Sequence, residues 1–134
     1  MTQLTEIEGI GQAYAARLQA AGIDSIEALL EAGATPQGRE ELEEKTGIAH
    51  KLILAWVNRA DLMRIKGVGE EYADLLEESG VDTVKELRNR NPQNLHQALR
   101  EANEQKKRVR RLPGLDQVAG WVEQARSLPP KVTY

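Results

Sequence analysis

The stretch IEGIGQAYAARLQAAGIDSIEAL, residues 7 to 29, returns without a gap as IKGVGEEYADLLEESGVDTVKEL at residues 65 to 87, with 9 identities in 23 positions. Ile10/Val68, Ile23/Val81, Ser25/Thr83 and Ile26/Val84 are conservative exchanges within it. A match of this length marks a duplicated structural unit. Looser anchors continue the repeat: Thr35-Pro36-Gln37 parallels Asn91-Pro92-Gln93, and Trp56-Val57 parallels Trp121-Val122. The chain therefore reads as two units, residues 1–62 and 63–134.

Start and stop signals make each unit helical. Gly11 leads into a segment in which Tyr14, Ala15, Leu18 and Ala21 fall on one stripe at helical spacing, and Gly22 is placed to end it as a left-handed cap. Asp24 is expected to open the next helix, with Glu27 completing a capping box and Gly33 stopping it. Thr35 and Asn91 each precede a proline, the arrangement of an N-cap followed by proline at the first helical position. Gly47 closes that helix in the first unit, and a long helix holding Ile53, Trp56, Val57 and Ala60 runs to about Met63. No useful length of chain alternates with a period of two, so almost no strand is expected.

Composition narrows the classes of function. Cysteine is absent, which removes disulfides, thiolate zinc sites and cysteine nucleophiles, and a cytoplasmic protein is the natural reading. No apolar run approaches the roughly 20 residues that span a bilayer, and MTQLTEIEG lacks the basic start and apolar core of a signal peptide, so no membrane partner is expected. The net charge of −3 is unevenly spread: residues 1–62 carry −5 and residues 63–134 carry +2. Most of that contrast comes from KKRVRR at 106–111, the one basic cluster.

The pattern Leu4-x-x-Ile7-x-Gly9-Ile10-Gly11-x-x-x-Ala15-x-x-Leu18, with its counterpart Leu62-x-x-Ile65-x-Gly67-Val68-Gly69-x-x-x-Ala73-x-x-Leu76, resembles the helix-hairpin-helix motif. TGIAHKLILAW near Gly47 and LPGLDQVAGW near Gly114 resemble degenerate second copies. Each half is thus similar to a double helix-hairpin-helix domain. Over its whole length the chain resembles a bacterial family of tandem helix-hairpin-helix proteins known as a domain of unknown function. The fold implied is all-α, two tandem double helix-hairpin-helix (SAM-like) units packed in one compact chain.

In DNA-binding members of the wider superfamily, the hairpin presents backbone N–H groups and the positive end of the following helix to a duplex phosphate. Such contacts hold the backbone and leave the bases unread. Carried over here, the contacting positions are Gly9, Ile10 and Gly11, and more weakly Gly67, Val68 and Gly69. Gln12 and Ala13, after Gly11, are neutral, and Arg17 follows a turn or so later, so the first hairpin is open to a phosphate. Glu70 and Glu71 occupy the same place after Gly69, where they stabilise the helix dipole and repel an anion. Asp116 stands where the LPGLD hairpin would need its second glycine.

Lys106, Lys107, Arg108, Arg110 and Arg111 add a second route to a polyanion. The plainer reading is that these cations pair with Glu101, Glu104 or the acidic first half, pairs that contribute little stability. The glycines likewise have a plainer role in letting two helices turn closely. Tyr14, Tyr72, Trp56 and Trp121 fall at core-like repeat positions, and with no Phe and five aromatics in all the chain offers little surface for stacking single strands. REELEEK, residues 39–45, reads as a solvated helix face.

Nothing points to catalysis or to a cofactor. His50 and His96 occupy unrelated positions in the two halves and are expected on helix surfaces; no metal-ligand spacing, Walker sequence or dinucleotide fingerprint is present. Two readings of different class remain. One is a non-catalytic, sequence-independent binder of double-stranded DNA or another polyanion. The other is an adaptor that joins protein partners or self-associates.

Overall fold

Side-chain caps set where several helices begin, and glycines with positive φ set where several of them end. The structure, a computed structural model, describes residues 2–107 and 109–134. It divides into two units: one extends to Asp61 and also takes in Lys131–Tyr134, and the other is Leu62–Pro130. Eight α-helices and one 3-10 turn make up the regular structure, with no strand among the described residues. No helix is long and apolar enough to cross a membrane among the described residues.

The first unit opens with a 3-10 turn, Leu4–Glu6, followed by α1 (Gln12–Ala20), α2 (Ile26–Gly33), α3 (Pro36–Thr46) and α4 (His50–Leu62). The end of α1 is a Schellman closure: Ile23 N–H reaches Leu18 O at 2.9 Å, Gly22 N–H reaches Gln19 O at 3.0 Å, and Gly22 takes φ +89. Helix α2 starts one residue later than the sequence suggests. Its N-cap is Ser25, whose hydroxyl accepts from Ala28 N–H at 3.0 Å. Glu27 is therefore free of a capping box and instead accepts from Thr2, from its N–H at 3.0 Å and its hydroxyl at 2.9 Å. Helix α3 begins as expected, with Thr35 capping Gly38 N–H ahead of Pro36, and ends at Gly47 with φ 72. The buried side chains of this unit include Ile10, Leu18, Leu29, Ile53, Trp56 and Val57. Fully burying an aliphatic side chain of this size contributes about 1.5–3 kcal/mol.

Within the acidic helix α3 the structure departs from the solvated face read in REELEEK. Arg39 is 2 % exposed. Its Nη1 donates to the carbonyls of Gly33 and Ala34 at 2.9 and 3.2 Å, and its Nη2 donates to the carbonyl of Thr133 at 2.6 Å. The segment Lys131–Tyr134, placed with the second half by the repeat, thus returns to the first unit. Thr133 N–H donates to Ala34 O at 2.8 Å, Val132 is buried, and the Tyr134 hydroxyl donates to Asn58 Oδ1 at 3.0 Å. Lys131 pairs with Glu31 at 3.0 Å on the surface.

The second unit repeats the plan with α5 (Glu70–Glu78), α6 (Val84–Leu87), α7 (Pro92–Lys106) and α8 (Leu115–Ser127). Thr83 caps α6 as Ser25 caps α2, and Asn91 caps α7 ahead of Pro92 as Thr35 caps α3. Helix α7 packs on α5 and α8, and α6 packs on α8. Between them lie Leu75, Leu76, Leu87, Leu95, Leu99 and Trp121, all essentially buried. Helix α7 runs to Lys106, so the basic run starts inside the helix.

Candidate functional site

The turn read as the first hairpin is the loop between the 3-10 turn and α1. Ile7 N–H donates to Leu4 O and Ile10 N–H to Ile7 O, each at 3.1 Å, and the second of these closures brings Gly9 to φ +96. The Ile10 side chain is buried, so that residue offers only its backbone. Gly11 is the extended N-cap of α1 and supplies no side-chain cap; no acidic residue lies in the first turn. The N–H groups that begin α1 have no side-chain cap at the positive end of the helix dipole. Gln12 and Ala13 are exposed. Arg17 is exposed too, with its guanidinium 5.7 Å from the Tyr14 ring centre, the residue one turn nearer the helix start.

Behind the turn stands Trp56. Its ring meets Tyr14 edge to face at 5.2 Å, and its Nε1 lies 3.2 Å from the place a Cβ on Gly9 would take. The aromatics expected in the core are therefore the floor of the hairpin and unavailable for stacking on a base.

The second hairpin has the same backbone. Val68 N–H donates to Ile65 O at 3.1 Å, Gly67 takes φ +93, and Trp121 underlies it with Tyr72 at 5.3 Å. Gly69 is again an extended N-cap without a side-chain bond, but Glu70 and Glu71 fill the first turn of α5. The loop is also bracketed from α8: Lys66 N–H donates to Gln124 Oε1 at 3.0 Å, and Gln124 Nε2 donates to Lys66 O at 3.2 Å. Sequence reasoning missed this clamp, which carries no local signal.

The remaining hairpin-like turns are capped. At Gly47 the first N–H of α4, that of His50, donates to Glu43 Oε2 at 3.0 Å. At Gly114 the N–H donates to Gln117 Oε1 at 3.2 Å, and Asp116 lies in the first turn of α8. Among the described residues, α1 is the helix that opens with neither a side-chain cap nor a carboxylate in its first turn.

The basic segment is shaped as well as charged. Lys107 ends α7 in the left-handed conformation with φ 49, and its N–H donates to Asn103 O at 2.8 Å. The chain then sends Val109 into the core. Asn103 Oδ1 accepts from Val109 N–H at 3.0 Å, and its Nδ2 donates to Val109 O at 3.2 Å. Tyr72 donates its hydroxyl to Arg111 O at 3.0 Å. Lys107, Arg110 and Arg111 are exposed, whereas Lys106 lies 3.9 Å from Glu78. Arg108 lies outside the described residues. No carboxylate among the described residues is paired with Lys107, Arg110 or Arg111.

Of the histidines, His50 is an exposed residue at the start of α4, as expected. His96 is half-buried, with Nε2 3.1 Å from Pro113 O, so it fastens the turn before α8. Two side chains are shifted by their surroundings. The Thr2 N–H, more than any other contact, holds Glu27 below the usual carboxylate range, and burial lowers the pKa of Arg39.

Residues 8–128 match the family model described as Domain of unknown function (DUF4332). Comparison with curated proteins and with solved structures returned no match.

Proposed function

We propose that this chain, which belongs to the family described as Domain of unknown function (DUF4332), is a non-catalytic tandem helix-hairpin-helix module that holds the phosphate backbone of duplex DNA without reading its bases. The observation that carries this reading is the open start of α1, which has no side-chain cap after Gly11 and no acid in its first turn. An oxyanion placed there gains charge-assisted hydrogen bonds from the backbone and the favourable end of the dipole. Arg17, held over the Tyr14 ring in the same helix, would add a cation. The exposed Lys107, Arg110 and Arg111 supply further phosphate contacts in the second unit.

Contacts of this class bind by releasing counterions, so affinity falls steeply with salt and varies little with sequence. The test is a titration of labelled duplex DNA, single-stranded DNA and RNA over a range of salt. Tightest binding to duplex, lost as salt rises and weakened when Lys107, Arg110 and Arg111 become Glu, supports the reading. Absence of any shift at low salt rules it out.

An adaptor role is favoured by one observation, the carboxylates Glu70 and Glu71 that occupy the second hairpin. It predicts a stable protein partner or a self-associated species. Light scattering that shows a strict monomer, with no protein recovered in pull-downs, would count against it.

A further inference from the structure

We propose that the concavity beside the end of α7 is a phosphate cradle, completed by Arg100 and held in shape by Asn103; for its ligand, the nucleic-acid backbone, this rests on the reading above. The depression is lined by Arg100, Asn103, Glu104, Lys107, Arg110 and Leu112, together with the buried Val109. It gathers three cations against one carboxylate.

Arg100 precedes Asn103 and Glu104 by three and four positions on α7, which puts it on their helix face. It is exposed, and no carboxylate among the described residues pairs with it. Lys107 and Arg110 come from the loop, and their placement depends on Asn103. That one amide binds both the N–H and the carbonyl of Val109, while its backbone carbonyl accepts from Lys107. A run of cations that served only solubility would need none of these bonds. Two guanidinium forks and an ammonium around one depression suit the several oxygens and higher negative charge of a phosphate. Lys106 stands apart from the cradle, next to Glu78, and at the carbonyl end of α7, where a cation complements the dipole. The cradle thus separates two neighbouring lysines by role. Lys107 binds the ligand, Lys106 finishes the helix, and Asn103 is a positioning residue.

The experiment measures binding of a labelled DNA duplex by Arg100→Gln, Lys106→Gln and Asn103→Leu variants of the full chain, alongside amide NMR spectra with added pyrophosphate. Arg100→Gln is expected to weaken duplex binding roughly three- to tenfold and to lower the salt slope by about one, while Lys106→Gln changes little. Asn103→Leu removes no charge yet weakens binding to a similar degree, with a spectrum that keeps the dispersion of the folded protein outside the loop. Pyrophosphate shifts the amide signals of Val109 and Arg110 in the wild type and not in Arg100→Gln. Equal duplex binding by wild type and Arg100→Gln overturns the cradle and leaves the nucleic-acid reading standing. No duplex binding by the wild type, but pyrophosphate shifts centred on Val109, ends that reading and assigns the cradle to a free phosphate compound. Neither duplex binding nor a localised pyrophosphate shift overturns both.

Discussion

The Trp56 indole nitrogen lies 3.2 Å from the point where a Cβ on Gly9 would stand, and Trp121 stands 3.3 Å from the same point on Gly67. The two glycines of each hairpin consequently do different work. Gly9 and Gly67 need glycine for space and for a positive φ of +96 and +93. Gly11 and Gly69 need it for neither. Their φ values are −81 and −91, and a Cβ at either would meet nothing within 4 Å. At Gly11 this leaves the uncapped start of α1 unobstructed, which is what the proposed phosphate contact would use.

Gly9→Ala is expected to lower the stability of its unit by about 1–3 kcal/mol, the cost of a non-glycine residue held in a sparsely populated backbone region, with Trp56 adding pressure. Gly67→Ala should behave alike against Trp121. Urea unfolding reads both. A change under about 0.5 kcal/mol in either variant would show that the turn relaxes and that the glycine is not needed for the fold.

Gly11→Ser separates binding from stability. Serine is a good N-cap, and its hydroxyl would accept from an N–H of the first turn of α1, satisfying a donor that is now open. Stability should hold or rise by a few tenths of a kcal/mol, while duplex affinity falls several-fold. Gly69→Ser should leave affinity unchanged, because Glu70 and Glu71 already occupy that helix end.

Arg39→Met is expected to cost about 2–3 kcal/mol, since it leaves the carbonyls of Gly33 and Thr133 without their buried charged donor. Deleting Lys131–Tyr134 removes one of the same bonds. The double change should therefore cost less than the two single losses added, a coupling that thermal unfolding of the four variants measures. Strict additivity would mean that Arg39 and the returning segment act independently.

These particular residues also show what was legible in the sequence. The repeat, the helix class, the caps at Thr35 and Asn91 and the stops at Gly22 and Gly47 all carry local signals, and the structure has them. Asp24 and Ser25 are both good N-caps, and the chain uses Ser25, as the second unit uses Thr83, while Glu27 accepts from Thr2, a contact 25 positions distant that no local signal announces. Arg39 looked like one more charge in REELEEK because its partners are backbone carbonyls, one of them 94 positions further on. The same holds for the basic segment: its charge is plain in KKRVRR, whereas its shape comes from Asn103, Val109 and Tyr72, which no spacing rule connects.

Glu27 makes stability depend on pH in a known direction. Its folded pKa is lowered from 4.5, first by the Thr2 N–H. The contribution is fully present above 4.5 and is lost as pH falls through the folded value. Glu27→Gln should be less stable than the wild type at neutral pH, and the gap should close in acid. A constant gap across an acid titration of the urea midpoint would show that the carboxylate charge is not what Thr2 recognises.

The last prediction reverses the logic of the second hairpin. Its backbone repeats that of the first, from the Val68 N–H bond to Ile65 O through the extended Gly69. If the difference in phosphate binding lies in Glu70 and Glu71, neutralising them should create a second site. Glu70→Gln with Glu71→Gln is expected to steepen the salt dependence of duplex binding by about one and to raise affinity several-fold at low salt. The same pair removes anions from the first turn of α5, where each stabilises the dipole by about 0.3–1 kcal/mol, so the unit should become slightly less stable as it binds better. Opposite movement of affinity and stability in one variant is hard to obtain from a non-specific change in net charge. As a control, Glu40→Gln with Glu41→Gln alters net charge by the same amount, on α3 rather than at a hairpin. If the control tightens binding equally, overall repulsion and not the hairpin governs affinity, and the site-specific account fails.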